Sequence, residues 1–162
     1  MIESARSTKA VHRAQIFAEM GERLGGSVSE AILDGEVIVA DASGRPQFYD
    51  LLRRTSAPAY VAFDLLWLNG ADLPELPLSD RRRSLQAILP ANSTVIVQTV
   101  SVTARGCELF DLMCSNDLEG VVAKRLVDPY NPRVRWLKIK NRDYSQAEGR
   151  ADLFNRPRRS AR

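Results

Sequence analysis

Lysine is scarce in this chain. Of 23 basic residues only Lys9, Lys124, Lys138 and Lys140 are lysines, and three of those four fall between 124 and 140. Long apolar runs are also absent. The most hydrophobic stretch, "AYVAFDLLWL", is interrupted by Asp64, so no segment reaches membrane-spanning length. The start, "MIESARSTKAVHRA", lacks the apolar centre of a secretion signal, which points to a cytoplasmic protein with no membrane partner. Cysteine occurs only at 107 and 114, on one helix face if that segment is helical, and the pair reads as two buried free thiols. There is no internal repeat, and no low-complexity segment apart from the last few residues.

The composition is that of a soluble globular protein, 44% hydrophobic and 27% charged, and 162 residues suffice for one ordinary domain. Charge is uneven along the chain. Residues 133–162 hold ten Lys and Arg against three acids, whereas residues 1–132 hold thirteen against seventeen. A basic end on a mildly acidic body favours contact with phosphates, although "NRPRRSAR" also reads as a tail that serves solubility.

Hydrophobic spacing predicts a helix over 9–24, stopped by Gly25-Gly26. "EAILDGEVIVADASG" reads as a strand pair or a strand with a turn at "DASGRP". "QFYDLLRR" reads as a short helix, and "AYVAFDLLWLNG" as a long strand ending in an Asn-Gly turn. "LSDRRRSLQAIL" is a helix with Ser79 as a candidate cap and Arg81, Arg82 and Arg83 on an exposed face. "TVIVQTV" alternates as a strand, "ARGCELFDLMCSND" is a helix, and "EGVVAKRL" and "VRWLKIK" are two further strands. Several strands are joined by turns, so the expected fold class is α+β with mixed or antiparallel sheets and flanking helices.

Strand periodicity sorts the lysine-bearing strings. In "WLKIK" it sets Trp136, Lys138 and Lys140 on one face, with Leu137 and Ile139 opposite and available to a core. In "EGVVAKR" it sets Glu119, Val121 and Ala123 on one face and Gly120, Val122 and Lys124 on the other. Clustered ammonium groups repel unless an anion lies between them, and lysine meets phosphate as a compact point charge. A carboxylate nearby, from Glu36 or Glu119, fits a divalent metal bridging carboxylate and phosphate. A solvated strand face is the plain alternative.

Four strings in order, "ILDGEVIV", "AFDLLWLNG", "EGVVAKR" and "WLKIK", with the connectors "GRPQFYDLLRR", "LPLSDRRRSLQAIL" and "RDYSQAEGR", resemble the adenylation domain of ATP-dependent DNA ligases. The likeness is to bacterial ligases related to the end-joining ligase, and it covers roughly residues 30–155. It implies an ATP-grasp-like nucleotidyltransferase fold over residues 1–155, with 156–162 as a basic tail. It implies ATP as substrate, Mg2+, and nicked or broken double-stranded DNA as partner. In that family AMP passes from ATP to a lysine, then to a 5′-phosphate, and is released when the 3′-hydroxyl seals the nick in repair or recombination. Carried over by motif, Phe63 would stack on adenine and Glu36 would contact the ribose or help order the site. Glu119 would serve the metal, and Lys138, Lys140 and Lys124 would hold phosphates. Phe63 also reads as core, Glu36 as turn chemistry, and Asp64 as a residue that caps or pairs locally as readily as it touches the site; the arginines at 81–83 read as an exposed helix face that could also touch DNA phosphate.

The resemblance has gaps. The family's nucleophile lies in a Lys-x-Asp-Gly-x-Arg motif, and no such motif occurs; Lys9 stands in "STKAVHRA". The expectation is a partial adenylation domain that cannot form lysyl-AMP alone. Such a chain would leave sheet edges and apolar surface exposed, or rely on a partner supplying an N-terminal part. A non-catalytic ATP- or DNA-binding module and a decayed fragment are the other two readings.

Overall fold

The computed structural model of the chain describes residues 28–42, 44–47, 50, 53 and 56–145. The helix expected over 9–24 and the basic tail lie outside these residues, and the short helix expected at 47–54 lies largely outside them. The chain divides into two compact units. One is Met1–Ser101 with Lys124–Leu137, and the other is Val102–Ala123 with Lys138–Arg162.

The first unit is built on β2 (Ala59–Leu68), the long apolar strand. On one edge it pairs antiparallel with β1 (Ala31–Ile38), from Ala31 opposite Leu68 to Ile38 opposite Ala59. Register shifts follow Ile32 and Asp34. Its C-terminal end turns through Asn69 and Gly70, both at positive φ, into β3 (Ala71–Asp72). Asn-Gly is favoured there because both central turn positions need the left-handed region. Asn69 also accepts hydrogen bonds at Oδ1 from the backbone N–H groups of Ser29 and Glu30, which ties the entry of β1 to the turn. Near the start of β2, Tyr60, Val61 and Ala62 pair parallel with β4 (Ile96–Gln98). The sheet is therefore mixed, and the α+β expectation holds.

Helix α1 (Leu78–Ile88) packs on β2, with Leu78, Arg81 and Leu85 as its buried residues. Ala62, Leu65, Leu85 and Ile96, all fully buried, centre a core completed by Ala31, Tyr60 and Leu73. The helix start departs from expectation. Pro77 is the N-cap, without a side-chain cap bond, and Ser79 lies inside the helix. The first amides are satisfied instead by tertiary carbonyls: Leu78 N–H donates to Asp128 O and Ser79 N–H to Leu126 O, each at 3.0 Å. The expected exposed arginine face is also corrected. Arg81 is 1% exposed and pairs with Asp64, which is 0% exposed. Helical spacing alone does not tell a solvated arginine from one that neutralises a carboxylate on the strand beneath.

Tyr60 is buried beside this core, and its hydroxyl donates to Leu33 O at 3.0 Å. Burial, then the charge of Asp34 and the nearby Tyr130, push its phenol from 10.0 up to about 12. A raised folded-state value means the stabilisation is complete below pH 10 and lost as pH climbs towards 12. Discounted for solvent screening, that rise contributes on the order of 1 kcal/mol. Tyr60→Phe is expected to flatten the fall in thermal midpoint between pH 10 and 12, after a loss of about 1 kcal/mol at neutral pH for the hydrogen bond. Parallel alkaline falls in both proteins would refute the assignment.

In the second unit, α2 (Gly106–Ser115) packs against β5 (Gly120–Ala123), which pairs with β6 (Leu137–Lys140). Asn141 locks this pair. Its backbone N–H donates to Glu119 O at 2.8 Å and its side-chain amide to Leu118 O at 3.1 Å. Two expectations fail here. Cys107 is exposed and Cys114 half-buried, since α2 has no fully buried residue. Leu137 and Ile139 are exposed rather than in a core. Alternation assigns faces to a strand, but it does not supply the second layer that would cover one.

Candidate nucleotide site

The string Asp34-Gly35-Glu36 lies inside β1, not in a turn, so turn chemistry does not account for Glu36. Gly35 is required by close approach: a Cβ there would meet Val61 O at 2.4 Å and the Tyr60 ring at 2.7 Å. Glu36 itself is exposed, opposite Val61. Phe63, on β2, is half-buried rather than sealed in the core.

Lys124 follows β5 directly, and Trp136 stands just before β6. The Lys124 ammonium lies 3.6 Å from the centre of the Trp136 ring and 5.8 Å from that of Phe63. The shorter contact is a cation–π pair. Trp136 meets Tyr130 edge-on at 5.6 Å, and the Tyr130 hydroxyl donates to Asp34 Oδ2 at 3.3 Å. Burial lowers the pKa of Lys124, opposed by the charges of Asp64 and Asp34 and reinforced by those of Arg82 and Arg81. Burial first, then Asp34, raises that of Tyr130. A carboxylate, three aromatic rings and a half-buried ammonium thus form one contiguous cluster. Two members were marked by sequence reasoning, Phe63 and Lys124, and Trp136 was placed on the lysine face. Tyr130 was missed, because "DPYNP" carries no periodic signal, and Asp34 because it only preceded the glutamate of interest.

The second unit carries the remaining candidates. Lys138 and Lys140 alternate along β6, both exposed. Lys140 Nζ is 4.0 Å from Glu119 Oε1, which places one lysine beside the carboxylate. An exposed pair at this separation adds little stability. Among the described residues no three His, Cys, Asp or Glu side chains are grouped to enclose a metal. A single carboxylate fits the mode in which Mg2+ keeps most of its water and is shared with nucleotide phosphates.

Comparison with known proteins gives a consistent result. Residues 3–140 match the model of the ATP dependent DNA ligase domain. The SPbeta prophage-derived DNA ligase-like protein LigB of Bacillus subtilis is 28% identical over 145 residues, 83% of this chain and 53% of that protein. The multifunctional non-homologous end joining protein LigD of Mycolicibacterium smegmatis is 33% identical over 114 residues, 67% of this chain and 15% of that one. The solved structure of mycobacterial DNA ligase D complexed with ATP and MES superposes with a TM-score of 0.59 at 34% identity, covering 68% of this chain and 38% of that one. The chain thus spans about half the length of the first relative and much less of the others.

Proposed function

The chain belongs to the ATP-dependent DNA ligase family, as an adenylation-domain sequence related to the end-joining ligases, and from that membership we propose that it binds ATP and nicked or broken duplex DNA. The observation that carries this reading is the half-buried Lys124 ammonium held beside the half-buried ring of Phe63. A cation kept at a burial cost next to a stacking surface is the arrangement a nucleotide uses. Phe63 takes the adenine and Glu36 the ribose. Lys138 and Lys140, with Lys124, hold the phosphates by charge-assisted contacts. Glu119 would hold Mg2+ together with those phosphates; bound there, the metal neutralises phosphate charge.

In the family reaction a lysine nitrogen attacks the α-phosphorus and pyrophosphate leaves. The AMP then moves to the DNA 5′-phosphate, and attack by the 3′-hydroxyl seals the nick with release of AMP. These 162 residues contain no Lys-x-Asp-Gly-x-Arg motif, so the nucleophile would have to come from outside them. On its own the chain acts as a cytoplasmic binding module for the two substrates rather than as a complete ligase. A non-catalytic role is the alternative for the whole protein.

The test joins binding and mass measurement. The chain is expected to bind ATP with Mg2+ in calorimetry, and Lys138→Ala or Lys140→Ala to weaken it by about tenfold each. Intact mass after incubation with ATP and Mg2+ is expected to show no AMP adduct. An adduct surviving denaturation would overturn the non-catalytic reading, and failure of the wild-type chain to bind ATP would overturn the nucleotide reading.

A further inference from the structure

Beside the nucleotide cluster, the first unit has a cleft of about 430 Å3. One wall is a stripe of α1: Ser79, Arg82, Arg83 and Gln86, at the i, i+3, i+4, i+7 spacing of a single helix face. The core-facing stripe of that helix, Leu78, Arg81 and Leu85, is a different one. The opposite wall is Gln98, Thr99 and Ser101, the end of β4 and the segment after it. Every polar side chain in this lining can donate a hydrogen bond, and none is a carboxylate.

The walls are cross-linked. Arg82 Nη2 donates to Thr99 O at 3.1 Å and to Ser101 Oγ at 2.9 Å, and Nη1 to Phe63 O at 3.4 Å. Gln98 Nε2 donates back to Arg82 O at 3.2 Å. Among the described residues all hydrogen bonds of the Arg82 guanidinium end on neutral oxygens, so a half-buried positive charge has no carboxylate in contact. Burial lowers its pKa, partly offset by the charge of Asp64. Arg83 is more exposed and shares Asp80 at 3.1 Å.

We infer that this cleft between α1 and the end of β4 is a phosphodiester-binding site for the DNA backbone, in which Arg82 is the fixed anchor and Arg83, Gln86 and Gln98 are the groups that reach the anion. It rests on the reading of duplex DNA as partner. An oxyanion there meets a guanidinium already oriented by three neutral acceptors, so little ordering is needed on binding. A backbone contact of this kind carries no sequence preference and is salt-dependent.

The test uses the full chain and a labelled nicked duplex, with affinity measured at several salt concentrations. Arg83 and Gln86 are both exposed, so their variants keep the fold, which thermal melts would verify. Arg83→Gln is expected to weaken duplex binding about fivefold at low salt and reduce the salt slope by about 1. Gln86→Glu, which places a carboxylate in the cleft, is expected to weaken it at least as much. ATP affinity should not change in either. Unaltered duplex binding in both variants overturns this site while leaving the DNA reading intact. Absence of duplex binding by the wild type overturns both. Weakened binding of ATP or pyrophosphate, with duplex binding unchanged, would assign the cleft to free nucleotide phosphate and overturn the backbone assignment.

Discussion

Arg81→Met is expected to lower the unfolding free energy by about 3–5 kcal/mol, the usual result of removing one partner from a buried ion pair. The guanidinium is bidentate on Asp64, with Nε to Oδ1 and Nη2 to Oδ2 both at 2.8 Å. Its remaining nitrogen donates to the carbonyls of Leu76 and Asp128. Methionine matches the length but leaves the Asp64 carboxylate in a fully buried position with, among the described residues, only the Leu65 N–H as donor. It also frees the segment carrying Asp128, which otherwise covers the start of α1. For a domain of ordinary stability this is a large fraction of the total. Urea unfolding measures it. The double variant Asp64→Leu/Arg81→Met is expected to recover part of the loss, since no charge is then stranded. A single variant within 1 kcal/mol of wild type would show that the pair is not a structural anchor.

Gly120→Val is expected to separate β5 from β6 and to abolish the ATP binding proposed for Lys138 and Lys140. Gly120 has φ +137°, a region essentially reserved for glycine, and a Cβ there would lie 2.1 Å from Ile139 O and 3.0 Å from Lys140 Cα. Both obstacles are backbone, so relief requires the strands to part, at a cost of about 3 kcal/mol or more. The bond from Asn141 N–H to Glu119 O should go with them. Hydrogen exchange is the direct readout: protection should fall at 120–123 and 137–141 and persist in β1 and β2. Gly106→Ala is the control, because a Cβ there meets nothing within 4 Å and alanine favours the helix by up to about 1 kcal/mol. Retained protection in Gly120→Val, with ATP binding intact, would refute the expectation.

The two variants probe different kinds of information. Gly120 was visible in "EGVVAKR" only as a residue on a strand face, and its need for glycine comes from Ile139, nineteen positions away. Arg81 stood in a run of three arginines that local spacing treats alike. Their fates diverged because Arg81 lies over Asp64, Arg82 bonds across to the end of β4, and Arg83 stays in solvent with Asp80. The cysteines and the pair Leu137 and Ile139 failed for the same reason, since burial depends on what lies opposite.

By itself the sequence determined the elements and their order: the long strand ending at Asn69-Gly70, the helix over 78–88, the two short strands within "EGVVAKR" and "WLKIK", and the family those strings belong to. These follow from side-chain period, turn chemistry and local motif, which act over a few residues. Only the tertiary structure decided that Asp64 is neutralised by Arg81, that Lys124 rests between Trp136 and Phe63, and that Arg82 lines a cleft without carboxylates. Each of those depends on desolvation and on a partner at least twelve residues away, and both quantities exist only once the chain has folded.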